Sequence, residues 1–176
     1  MALRENPKLR KGILCFVCLA IAVCLVFLAI SHVASNSLRE KIAADVFSSA
    51  RQLYQLSGDV EYGCQDPYYM DQANLLEYQT ELLREMNFKY SDNLGWVVYY
   101  TQRVLSMIQR EEMDSEAARQ YLAQVSKYYE FLIFDAQGNE NKTAGQLRDG
   151  LKRLSDHISS SDDFWELQQS IEKLRE

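Results

Sequence analysis

Apolar positions along this chain form one unbroken run, followed by a series of helical stripes. The unbroken run spans 13–30, where no charged or strongly polar side chain intervenes. About 20 apolar residues, rising ~1.5 Å each, cover the ~30 Å hydrocarbon layer of a bilayer. Lipid offers backbone groups no partner, so a spanning segment has to be helical. Gly12, Ser31, Val33 and Ala34 extend the run, with His32 as a costly neighbour. The pattern predicts a transmembrane helix over 12–34. A cleaved signal peptide is the competing reading. Its apolar part is usually about 7–15 residues, shorter than this one, but Ala29-Ile30-Ser31 offers a small-x-small cleavage site.

Beyond the run, Leu38, Ile42, Val46, Leu53 and Leu56 repeat near helical spacing, and no Pro or Gly intervenes before Gly58. This predicts a helical stalk over 37–57, roughly 30 Å long, that ends at the glycine. A loop over 59–66 leads to Asp66-Pro67, an acidic cap with proline in the first turn. Met70, Ala73, Leu76, Leu83 and Met86 then mark a helix to about Asn87. A third helix runs from Leu94 to about Met113, through Val97, Val98, Val104, Leu105 and Ile108. A fourth, capped by Asp114, carries Ala118, Tyr121, Leu122, Val125, Tyr129 and Leu132. Thr143 with Gln146 makes a capping box ahead of Leu147, Leu151, Leu154 and Ile158. Residues 159–162 break the chain before Phe164, Leu167, Ile171 and Leu174. Two stretches admit a strand instead, 96–100 and 129–143, where strand formers crowd and, in the second, a turn-like Asp135 to Asn139 follows. The expected fold is mainly α: a membrane helix continuing into a stalk, then an antiparallel bundle with room for one small β-hairpin. Connections of about four to seven residues favour antiparallel neighbours.

Charge orients this layout. Of 19 Lys and Arg, four (Arg4, Lys8, Arg10, Lys11) precede the run, against Glu5 alone among 25 acids. Basic flanks stay in the cytoplasm, so 1–11 reads as a cytoplasmic tail and 35–176 as one extracytoplasmic domain at the cell membrane. The portion past residue 34 holds 15 basic and 24 acidic residues, a formal −9. Such a surface repels phosphate backbones, which argues against nucleic acid as a partner.

Candidate chemistry is sparse. His32 and His157 lack a nearby Cys or second His, so a zinc site of usual spacing is absent, and His157 reads as a solvent-facing helix residue. No nucleophile elbow, phosphate loop or dinucleotide fingerprint occurs. Asp59, Glu61 and Asp66, and separately Asp135, Gln137, Asn139 and Asn141, are oxygen-rich but miss the calcium-loop spacing, so they read as solvated turns. Neither metal nor cofactor is expected, and the chain reads as non-enzymatic. Cys15, Cys18 and Cys24 lie in the apolar run. Cys64 alone lies outside it, either as a free thiol or as an intermolecular bridge. Asn141-Lys142-Thr143 matches a glycosylation acceptor. All 11 tyrosines follow the membrane run, several of them paired. Tyrosine suits interfaces because its ring buries area while its hydroxyl stays paired. Trp96, Tyr99, Tyr100, Tyr128 and Tyr129 are therefore the candidate partner-binding residues, with a polar-tipped core as the plainer reading.

A basic N-terminus, a membrane helix, a helical outer region and then Lys127-Tyr128-Tyr129-Glu130-Phe131-Leu132-Ile133-Phe134-Asp135-Ala136-Gln137-Gly138-Asn139 resemble the input region of bacterial sensor histidine kinases. The likeness covers the order of parts and about a dozen residues. Such kinases usually return through a second membrane helix to a catalytic half, and this sequence shows neither, so the likeness implies a detached sensor or a partner protein with no kinase activity of its own. A sensing or protein-binding role, with a protein partner or a homodimer, is expected for the outer domain. Lys11-Gly12 before an apolar helix is similar to prepilin leaders, although Val17 stands where pilins carry glutamate. That likeness supports the alternative function, a scaffold subunit that self-assembles through its helices.

Overall fold

A computed structural model describes residues 7–56, 67–113 and 115–173, and among these described residues there are six helices. They are α1 (Pro7–Gln55), α2 (Pro67–Glu85), α3 (Ser91–Gln109), α4 (Ser115–Ile133), α5 (Ala144–Ser160) and α6 (Asp163–Lys173). The chain divides into two compact units, 1–39 and 40–176.

The first unit is the N-terminal part of α1. Between positions 16 and 33 its large apolar side chains are all open, from 46% exposed at Val17 to 72% at Phe16 and Phe27. Mean hydropathy over the window is 2.7, and α1 is the one described helix long and apolar enough to cross a membrane. Cys18 and Cys24 are free and exposed on it. Cys64 lies outside the described residues, as do the stop at Gly58, the acidic loop 59–66 and the Asp114 cap.

The second unit is a helical bundle, as the stripes predict. The rest of α1 buries Ile42, Ala43, Val46, Phe47, Ala50 and Leu53, stepping by one and three residues along one face. Central in the bundle is α3, which packs against α2, α4, α5 and α6. Its buried Leu94, Val97, Val98, Val104, Leu105 and Ile108 repeat at helical steps, so tertiary packing overrides the strand propensity of 96–100. Between α2 and α3 the chain reverses in a few residues. Asn87 sits at φ 57° and Tyr90 at φ 72°, while Phe88 N donates to Leu83 O at 2.9 Å.

Within the ambiguous stretch 129–143, α4 itself continues as helix rather than strand to Ile133. The expected hairpin shrinks to an isolated antiparallel bridge, Phe134 with Glu140. Leu132 and Ile133 are 0% and 1% exposed because helical periodicity turns both inward, which leaves no room for an alternating strand. Asp135 organises the turn. Its Oδ1 accepts from Gln137 N at 2.9 Å and Asn139 N at 2.8 Å, and Gly138 takes φ 83°. Thr143 and Gln146 form the expected capping box of α5.

Asn141 is the correction with the clearest consequence. It is 2% exposed, and its Nδ2 donates to Leu132 O at 2.6 Å, closing the end of α4. A glycan needs that nitrogen in solvent. Expression through a eukaryotic secretory pathway should therefore give no glycosidase-sensitive mass shift at this site, and a shift would mean that the turn opens before the bundle closes.

Candidate binding groove

Aromatic side chains assemble into a ladder, and this ladder locates the groove. Trp96 and Tyr99, one helical turn apart on α3, meet edge to face at 6.2 Å. Tyr99 meets Tyr100 at 5.1 Å, Tyr100 meets Phe164 at 5.8 Å, and Phe164 meets Tyr128 at 5.3 Å. Tyr128 then faces His157 at 5.9 Å, and His157 lies against Phe131 at 4.9 Å with the rings tilted by 34°.

The five aromatic positions singled out in the sequence part company here. Trp96 and Tyr99 are 53% and 50% exposed, whereas Tyr100, Tyr128 and Tyr129 are 2%, 5% and 1% exposed. Successive helical residues point about 100° apart, so Tyr100 turns inward where Tyr99 turns out. Both Tyr128 and Tyr129 are inside because α4 is covered by α3, α5 and α6. These three belong to the core, not to an open contact surface. Two of the hydroxyls are used: Tyr129 shares a 2.6 Å hydrogen bond with Thr101, and Tyr100 donates to Glu172 Oε1 at 3.0 Å.

Two adjoining hollows open where the ladder ends, between α4, α5 and the start of α6. One encloses about 370 Å³ and includes Tyr128, Glu166 and Leu167 in its lining. The other encloses about 700 Å³ and reaches Tyr54, Glu130, Phe134 and Arg153. Lys127, Phe131, His157 and Asp163 border both, so the hollows form one groove divided by the Phe131–His157 stack. Both hollows are open to solvent rather than enclosed.

Most of these residues escape sequence reasoning, because the groove joins 54, 127–135, 153–157 and 163–170. His157, expected to face solvent, is half-buried under Phe131 because α5 crosses α4 closely there. The structural reason is Gly150, where a Cβ would lie 2.6 Å from Phe131 O.

Arg153 closes the same crossing. Its Nη2 donates to Phe131 O at 2.9 Å and to Phe134 O, taking up carbonyls that the end of α4 leaves free. Across the groove, Tyr54 on α1 donates to Glu130 Oε1 at 3.0 Å, and its ring meets Phe134 at 6.1 Å. The hydrogen bond to Glu130, with some desolvation, raises the Tyr54 pKa above its ordinary value. Asn139 donors, from side chain and backbone, hold the Asp135 carboxyl below its usual range. Among the described residues no cluster of three His, Cys, Asp or Glu side chains could hold a metal.

Comparison with family models, with curated proteins and with solved structures finds no match.

Burial also makes the core alkali-sensitive. Burial, then the negative charge of Asp163, lifts Tyr128 to about 12, and burial raises Tyr100 and Tyr129 as well. A raised tyrosine pKa means that the fold holds the proton more tightly than the unfolded chain does. Its contribution is complete below the ordinary value of 10.0 and is lost as pH climbs towards the folded value. Stability should hold to about pH 10 and fall above it. Tyrosinate absorbance should rise in two waves, exposed rings first and the buried three only with loss of near-ultraviolet circular dichroism. Simultaneous ionisation of all rings below unfolding would contradict the burial.

Proposed function

We propose that the chain is a single-pass membrane-anchored recognition domain, with residues 35–176 outside the cytoplasm, that binds a ligand or partner and does not turn over a substrate. The observation that carries this reading is the apolar face of α1 between 16 and 33, at least 46% exposed at every large apolar residue, in the same helix whose 42–53 stretch is core. Contiguous apolar surface of that extent is unstable in water, and monomeric soluble domains rarely show it. Lipid covers it at no polar cost, because the helix satisfies its own backbone. The basic residues ahead of the segment support the orientation. The recognition half of the proposal rests on the open groove, where His157 lies against the rings of Tyr128 and Phe131.

Membranes washed in alkaline carbonate should retain the protein, detergent should release it, and the extracted chain should keep its 20.4 kDa mass. Protease added to intact cells stripped of any wall should digest the domain. Recovery in the soluble fraction, or a mass short by the first thirty-odd residues, would end the anchor reading.

A further inference from the structure

The groove allows the ligand class to be named, a step that rests on the recognition reading above. Several of its charged groups are already engaged. Arg153 donates to the carbonyls of Phe131 and Phe134, Asp135 serves its own turn, and Glu130 accepts from Tyr54. Lys127, Asp163 and Glu166 remain. Lys127 and Asp163 border each hollow, Glu166 borders the smaller one, and none of the three has an ion-pair or hydrogen-bonding partner for its side-chain charge among the described residues. The stacked rings of Phe131 and His157 lie in the same lining. A free cation beside free carboxylates around an aromatic floor complements a molecule that carries both charges and an apolar body. A simple anion would satisfy Lys127 but face Asp163, Glu166 and the acidic domain. A simple cation would satisfy Asp163 but leave Lys127 unanswered.

We propose that this groove binds a small zwitterion with an apolar body, of the class of free α-amino acids with aromatic or branched side chains. The ligand carboxylate pairs with Lys127 Nζ, the ammonium with the Asp163 carboxylate, and the side chain lies on Phe131 and His157. Because Lys127 and Asp163 are exposed, solvent screens each ion pair and affinity is modest.

Calorimetric titration of the full chain in detergent micelles tests this with three probes: L-phenylalanine, phenethylamine, which lacks the carboxylate, and 3-phenylpropionate, which lacks the amine. L-Phenylalanine should bind saturably by millimolar concentration. Each singly charged probe should bind about fivefold more weakly, ~1 kcal/mol. Lys127→Met should weaken L-phenylalanine about fivefold and leave phenethylamine unchanged. Asp163→Asn should weaken L-phenylalanine equally and leave 3-phenylpropionate unchanged. This crossed pattern separates lost charge pairing from general damage to the groove. Absence of saturable L-phenylalanine binding, equal binding of all three probes, or variants that weaken every probe alike would overturn the assignment. The titration does not depend on where the protein resides. A soluble protein that binds L-phenylalanine would remove the anchor and keep the groove, and a membrane protein with a silent groove would do the reverse.

Discussion

Gly150→Ala should lower the stability of the bundle by about 3 kcal/mol, at the upper end of what overpacking usually costs. The added methyl would sit 2.6 Å from Phe131 O and 3.2 Å from Leu132 Cα. Both are backbone atoms of α4, so no rotamer change relieves the clash. Moving α4 away would stretch the Arg153 bond to Phe131 O and the Asn141 bond to Leu132 O, both formed at that helix end. Gly145, on the same helix, is the control. A methyl there meets only Thr143 Oγ1, at 3.8 Å. Gly145→Ala should be neutral or stabilise by up to about 1 kcal/mol, since alanine is the better helix former. Urea denaturation followed by near-ultraviolet circular dichroism reports the bundle without counting the helicity of the apolar segment. Equal midpoints for the two variants would mean that α4 and α5 do not touch at Gly150.

Phe164→Ala should cost about 3–5 kcal/mol, the range for emptying a buried phenylalanine site. The ring is 5% exposed and stands edge-on to both Tyr100 and Tyr128. It is the rung that joins α6 to α3 and α4, so its loss opens a cavity and removes two aromatic contacts together. Trp165, the next residue, is 56% exposed, and Trp165→Ala should change stability by no more than about 0.5 kcal/mol. A large effect at Trp165 and a small one at Phe164 would show that the face of α6 assigned to the core is the wrong one. Tyr128 lines the smaller hollow, so Phe164→Ala should also weaken whatever the groove binds.

The aromatic positions show how far the one-dimensional pattern reaches. Crowded tyrosines signal that something is built from rings, and the ladder from Trp96 to Phe131 is that construction. Which ring faces outward depends on how many neighbours cover a helix, and local sequence does not record that number. Tyr128 and Tyr129 look equivalent to Tyr99 and Tyr100 until α4 is found covered by α3, α5 and α6. His157 shows the same limit. Its polar character suggests solvent, but Gly150 lets α5 approach α4 closely enough for Phe131 to lie against it. The ambiguous 129–143 segment was undecidable locally, because an apolar stretch before a turn suits a helix end as well as a strand.

The chain's amino acids alone determined the apolar segment, the helical class, the capping box at Thr143 and the turn around Gly138. Each of these depends on interactions within a few residues: hydropathy of a contiguous run, side-chain period, or backbone conformation. Only the tertiary structure decided that Asn141 is buried, that three of the five candidate aromatics are core, and that Lys127, Phe131, His157 and Asp163 border one groove. The reason is physical: burial and site geometry are sums over helix crossings between segments far apart in the chain, and a single glycine at one crossing sets how close they come.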